Sequence, residues 1–310
     1  MSSVQTALVL GAGASVPYGL PTAATLKQQI CKNPPRLITN DLLDQELIDQ
    51  HVDQLASSLK GSGLSSIDRF LEHQPDFERV GKRCIVDKLL SAELDAVHNG
   101  LVATDWNEWL YQGLLARGGL RQSGISVVTF NYDRTFEYGL AMMFMNTFGR
   151  TFEDAMQVVR SLPIMHVYGS LEFKYALQPR RQQSPPKIRP VDVERAAEGI
   201  RIMSADRQND NDKVTGRAAE VVLAADRIVF LGFGFDETNL ARIGVRSDSA
   251  AWTGRNREIF GTAYGMLRGE RNRVQRLIGT PIELGGEADD CLTFLRGTFG
   301  TLIDDPVIGS

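Results

Sequence analysis

Four short stretches of the chain are apolar with no polar-apolar alternation: Thr6-Ala-Leu-Val-Leu-Gly11, Ile125-Ser-Val-Val-Thr-Phe130, Ile164-Met-His-Val-Tyr168 and Arg227-Ile-Val-Phe-Leu231. A strand with one face in water alternates, whereas a strand covered by helices on both faces is apolar throughout. Each run is followed by glycine or polar loop residues and then by helical spacing. That pattern predicts βαβ repetition, hence an α/β fold with a Rossmann-like, doubly wound parallel sheet. Ligands of such sheets lie at the carboxyl ends of the strands, so the residues just after the four runs are expected to share one crevice.

From about Lys27 to Arg121 no comparable run occurs, and the spacing is helical, as in Leu42-Leu43-Leu47-Ile48 and Ile85-Leu89-Leu90-Leu94. This predicts a mainly helical insertion or cap over 27–121, with 1–26 and 122–310 forming the sheet domain. The stretch Gln178–Pro190 holds four prolines and four basic residues. It is expected to be a mobile surface loop without regular structure. No internal repeat is evident.

Composition narrows the function classes. The chain has 310 residues, 43% of them hydrophobic and 23% charged, as expected of an ordinary soluble globular protein. The formal net charge of −4 gives no positive field to favour nucleic acid or an anionic membrane surface. No basic leader and no long apolar stretch occurs, so the expected location is the cytoplasm, away from membranes. Cys31, Cys84 and Cys291 lie too far apart for a disulfide framework or a Cys-x-x-Cys pair.

The chemistry-bearing residues follow the apolar runs. Gly11, Ala12, Gly13, Ala14 and Ser15 are small enough for backbone N–H groups to approach a pyrophosphate at a helix start, or to make a tight strand-to-helix turn. Val16 stands where a third glycine would complete a dinucleotide fingerprint, and no Lys-Ser/Thr pair follows to make a triphosphate loop. Pro21 and Thr22 end a restrained loop, and Thr22 suits the cap of the next helix. In Thr129-Phe-Asn-Tyr-Asp133, Asn131 and Asp133 occupy alternate positions and so aim the same way. His166 lies in the third run, and an ordinary imidazole pKa near 6.5 suits a proton acceptor, although a lone strand histidine is more often a hydrogen-bonded core residue. After the fourth run Gly232 and Gly234 permit close approach, and Asp236 and Asn239 suit either ligand contacts or helix capping.

Taken in order from Ala7 to Asn239, these blocks resemble the sirtuin family. Gly11-Ala-Gly-Ala-Ser15 with Gly19-Leu-Pro-Thr22 resembles Gly-Ala-Gly-x-Ser…Gly-Ile-Pro, and Thr129–Asp133 resembles Thr-Gln-Asn-x-Asp. His166-Val-Tyr-Gly-Ser170 resembles the histidine-glycine segment, and Ile228–Asp236 the late strand and small-residue loop beside the adenosine half of NAD. The resemblance implies NAD as substrate, with Gly11 to Ser15, Pro21, Thr22, Thr129, Gly232, Gly234 and Phe235 around it. It implies Asn131 orienting the ribose and a water, Asp133 holding the nicotinamide-side ribose and His166 as general base.

Protein-deacylating sirtuins carry a four-cysteine zinc module, which three scattered cysteines cannot form. The chain is therefore similar to the zinc-free, sirtuin-like NAD hydrolases of bacterial anti-phage defence. That resemblance implies cleavage of NAD to nicotinamide and ADP-ribose, restraint by self-association into a homo-oligomer, and a regulatory companion such as an ATPase or an Argonaute-like protein. The alternatives are an NAD-dependent deacylase or ADP-ribosyltransferase, and a non-catalytic NAD or ADP-ribose sensor. A dehydrogenase fits less well, because Gln28–Pro34 stands where an acidic strand end is needed.

Three weaker features complete the reading. Ser66–Leu71 resembles a helical element of the defence branch, with Asp68 expected to cap or to be salt-bridged. Arg268–Arg276 is expected to be a solvated helix face, and Leu140–Met145 to be core.

Overall fold

A computed structural model of the chain describes residues 4–38, 42–99, 101, 105–116, 123–171, 187–202 and 208–299, with backbone alone for 42, 43 and 208–212. Six strands form one sheet: β1 Thr6–Leu10, β2 Ile125–Thr129, β3 Ile164–His166, β4 Arg227–Leu231, β5 Glu258–Gly261 and β6 Glu283–Leu284. Every neighbouring pair is parallel, and the order is β3-β2-β1-β4-β5-β6. The chain winds outward from β1 through β2 to β3, returns to β4 beside β1, and winds outward the other way. That is the doubly wound Rossmann-like order, and its switch point lies between β1 and β4.

The four apolar runs are the four strands expected. β1 and β4 are buried at every residue, because helices cover both faces. Val9 faces a core with Ile30, Leu59, Leu90 and Ile228, while its neighbours Leu8 and Leu10 face another with Trp106, Leu110, Leu140 and Leu231. Each such leucine or isoleucine contributes about 1.5–3 kcal/mol through removal from water. β5 and β6 were not among the expected strands. Glu258-Ile-Phe-Gly261 alternates in burial and β6 has two residues, so neither makes a continuous apolar run.

Between β1 and β2 the described residues form the helices Ala23–Lys32, Leu42–Gly61, Ile67–His73, Glu78–His98 and Trp106–Ala116. Residue 27 falls inside the first of them, and Leu55, Leu59, Leu89 and Leu90 share a core with Val9 of β1. This helical segment is thus packed into the sheet's own core. Leu47 is 65% exposed, so the Leu42–Ile48 repeat does not bury all its apolar positions. Ser66 caps the helix Ile67–His73 by accepting from the Arg69 N–H at 3.2 Å.

Most of the proline-rich stretch, Gln178–Pro186, lies outside the described residues. Pro190 opens the helix Pro190–Gly199, where its missing N–H would be unpaired in any case. In the helix Arg268–Ile278 only Val274 and Ile278 are buried, so the basic stretch is a solvated face. Leu140 and Ala141 are core, and Met142 to Met145 are half-buried. Among the described residues no helix is long and apolar enough to cross a membrane.

Candidate functional site

The parallel sheet brings the loops after β1, β2, β3 and β4 to one edge. The loop after β1 is a 3-10 helix, Ala12–Tyr18, and it crosses the loop after β4 at van der Waals contact. Gly11 N–H donates to the Leu231 carbonyl at 3.0 Å and Gly13 N–H to that of Gly232 at 2.9 Å. A Cβ on Gly13 would lie 2.7 Å from Gly232 Cα, and one on Gly232 2.0 Å from the Ala14 nitrogen. Gly232 also has φ +57, a left-handed conformation that side chains disfavour. The glycines are therefore required by the crossing of two backbones. The N–H groups of Gly11 and Gly13 are already engaged by β4 and its loop, as in a tight strand-to-helix turn. Ala12 is half-buried, and Gly234 is exposed with nothing within 4 Å of an added Cβ.

The placement of Phe235 is a correction. It has φ +49 and is 0% exposed, with its ring 5.2 Å from Phe230 and 5.5 Å from Phe233. The left-handed turn drives the ring into the core, where it cannot support a purine at the sheet edge. Ala14 is buried, and its carbonyl accepts from the Trp106 indole at 2.9 Å.

Asn131, Asp133 and Ser15 form one buried polar network. Asn131 Nδ2 donates to the Gly11 carbonyl at 3.0 Å and to Ser15 Oγ at 3.1 Å, and Ser15 Oγ donates to Asp133 Oδ1 at 3.1 Å. Asp133 Oδ1 also accepts from the Thr135 N–H at 3.2 Å and from the Thr135 hydroxyl. Thr129 Oγ1 accepts from the Asn131 N–H at 3.0 Å and sets the turn. The alternate spacing of Asn131 and Asp133 does aim both the same way, and they meet at Ser15. The side chains of Ser15 and Thr129 thus help to position Asn131 and Asp133. Among the described residues, Asn131 Oδ1 and Asp133 Oδ2 accept no hydrogen bond from the protein. Burial holds the Asp133 pKa above the ordinary carboxylate value, against the bonds from Thr135 and Ser15.

His166 lies beside this network with both ring nitrogens engaged. Nδ1 is 3.0 Å from the Asn131 carbonyl, so it must carry hydrogen, and Nε2 is 2.9 Å from Glu137 Oε1. Glu137 sits in the first turn of the helix Thr135–Phe148, paired also with Arg134 Nε at 3.2 Å. Burial disfavours a charged imidazole, but the Glu137 carboxylate outweighs it and the His166 pKa is raised. Burial would likewise raise Glu137, yet His166 and Arg134 hold it below the ordinary value. Both shifts favour an imidazolium paired with a carboxylate. Behind it, Glu93 of the helix Glu78–His98 accepts from the Arg134 N–H.

Around this centre a second set of contacts ties the helices to the loops. Tyr132 donates to Asp68 Oδ1 at 2.6 Å; Ser66 rather than Asp68 is the cap, Asp68 has no ion pair among the described residues, and burial raises its pKa despite that bond. Asp236 caps the helix Glu237–Arg242 through the Thr238 and Asn239 N–H groups and pairs with Arg69 at 3.0 Å. Asn239 Oδ1 accepts from Tyr168 and Arg242. Thr22 caps the helix Ala23–Lys32 through the Thr25 N–H at 3.2 Å. Pro21 lines a cleft of about 360 Å³ with Gly19, Gln29, Asn33, Asp87 and Lys88.

Sequence reasoning missed Glu137, Arg134, Glu93 and Trp106. Glu137 was within reach, since it stands one helical turn beyond Asp133 at the start of the pattern that follows β2. Glu93 sits inside a long helical repeat, and its burial is set by a partner far away in sequence. Fold and site define a doubly wound α/β protein with a polar centre at the strand ends. The chain matches no protein-family model and no curated protein.

Proposed function

We propose that the chain binds NAD at the carboxyl ends of β1, β2 and β4 and hydrolyses its nicotinamide-ribose bond. The observation that carries this reading is the meeting of Ser15, Asn131 and Asp133, distant in sequence, in one network against His166. The two acceptor atoms without a protein donor, Asn131 Oδ1 and Asp133 Oδ2, fit ribose hydroxyls and an attacking water, which are donors. Gly234 is open, with nothing within 4 Å of an added Cβ, which is compatible with a pyrophosphate passing beside the switch point. Loss of nicotinamide gives the ribose oxocarbenium character, which a buried carboxylate and a fixed amide oxygen stabilise electrostatically. Water, oriented by Asn131, then adds to the anomeric carbon and releases one proton to solvent or to a base.

The test is nicotinamide release from NAD by the purified protein without an acceptor, beside Asn131→Ala. Turnover by the wild type, falling at least about a hundredfold in the variant, supports the reading. Equal turnover by both overturns it.

One observation favours a second reading, a nucleotide sensor without turnover: both His166 nitrogens are occupied, so the ring as it stands takes no further proton. NAD binding seen by calorimetry, with no nicotinamide release, selects the sensor. Anti-phage defence, a homo-oligomer and a regulatory ATPase or Argonaute-like companion are proposals that rest on the sirtuin resemblance.

A further inference from the structure

We propose that Glu137 is a positioning residue: it clamps His166 through Nε2 and sets the pH at which the imidazole gives up its proton. The geometry leaves little freedom. The ring is fixed at two points, Nδ1 on the Asn131 carbonyl and Nε2 on Glu137, and both side chains of the pair are nearly buried. A neutral imidazole with hydrogen on Nδ1 would set its Nε2 lone pair against an ionised carboxylate, so the favoured state carries hydrogen on both nitrogens.

The charged groups around the ring come from three directions. Glu137 favours the proton and Arg134 opposes it, both at the start of the helix Thr135–Phe148. Glu93, from the helix Glu78–His98, accepts from the Arg134 backbone and favours the charge on Arg134. Asp133 lies on the β2 side, where Glu137 raises its pKa. The imidazolium becomes imidazole by losing one proton to solvent, and only then can Nε2 accept another. Glu137 thus governs when His166 becomes a base, without touching the nucleotide itself.

The first arm of the test does not depend on any activity. The chain has four histidines, so the His166 resonance in ¹⁵N-histidine NMR of the whole protein is assigned by its absence in His166→Asn. The wild-type ring is expected to titrate above the ordinary imidazole range. In Glu137→Gln it should titrate about one unit or more lower, and Glu137→Asp should restore part of the shift. Arg134→Leu, at a more exposed position, should move the titration upward and serves if Glu137→Gln fails to fold. A wild-type ring titrating at or below the ordinary value, or no change in any variant, overturns the proposal.

The kinetic arm rests on the hydrolase reading. The alkaline rise of kcat should move to lower pH in Glu137→Gln while KM for NAD stays unchanged. A protein that shows the NMR shifts but no turnover retains the clamp and loses the hydrolase reading, so the two failures are distinguishable. Turnover with a pH profile identical in wild type and Glu137→Gln overturns the clamp's role in catalysis.

Discussion

A methyl group added to either of the two glycines after β4 meets very different surroundings. At Gly232 it would lie 2.0 Å from the Ala14 backbone nitrogen in a left-handed conformation, whereas at Gly234 it meets nothing within 4 Å. Gly232→Ala is expected to lower stability by about 3 kcal/mol or more, since neither backbone can yield without opening the crossing of the two loops. Gly234→Ala should stay within about 0.5 kcal/mol of the wild type. Urea unfolding of the two variants checks the contrast, and equal losses would show that the crossing is not tight. The His166–Glu137 pair adds a pH dependence. Its imidazole pKa lies above the ordinary 6.5 and its carboxyl pKa below the ordinary 4.5. The raised imidazole contributes stability that is full below its unfolded pKa and is lost as pH rises through its folded one. The lowered carboxyl contributes stability present above its unfolded pKa and lost as pH falls through its folded one. The advantage of wild type over Glu137→Gln should therefore be greatest between these ordinary values and shrink on the alkaline side. At its maximum it should reach about 3–5 kcal/mol, the usual loss on removing one partner of a buried pair. An advantage that does not vary with pH would show that the pair carries no charge.

Two helices from the segment between β1 and β2 hold the loop after β2 from behind. Ile67–His73 supplies Asp68 to Tyr132, and Glu78–His98 supplies Glu93 to the Arg134 backbone. Tyr132→Phe leaves a buried carboxyl without its donor and should cost about 1–3 kcal/mol. A double-mutant cycle with Asp68→Asn, read by urea unfolding, should show a coupling of at least about 0.5 kcal/mol. Additive losses would show that the helix and the loop are independent. These links also mark where the sequence stops being legible. β1 to β4 were readable because each makes an uninterrupted apolar run, and β5 and β6 were not because they lack one. Asn131 and Asp133 were readable as a pair from their alternate spacing, although they lie in the loop beyond β2 and meet through Ser15. The place of the Phe235 ring was not readable, because a positive φ takes it into the core and no local sequence pattern encodes that torsion. Asp68 and Glu93 have partners on distant elements, and no local pattern encodes those distances.

The whole molecule has two apolar layers joined through one sheet, with alternate residues of β1 feeding each. Trp106, from the helical segment, lies in the layer with Leu8 and Leu10, and Trp252, after β4, lies in the layer with Ala7 and Val9. Helices of the segment enter both layers: Leu55 and Leu90 join one, Trp106 and Leu110 the other. A separately folding insertion would keep its apolar residues to itself and melt apart from the sheet. Among the described residues the segment shares its apolar side chains with both faces of the sheet, so its loss would expose β1. In a variant that keeps Trp106 as its only tryptophan, fluorescence reports the helical segment while far-UV circular dichroism reports the whole chain. The two signals are expected to give one coincident urea transition, although chains of this length often unfold through intermediates. An earlier fluorescence transition, with much of the dichroism retained, would show that the helices can leave the sheet standing. Coincidence would mean that Asp68, Glu93 and Trp106 hold the site loops for as long as the protein is folded, because the elements that carry them cannot detach on their own.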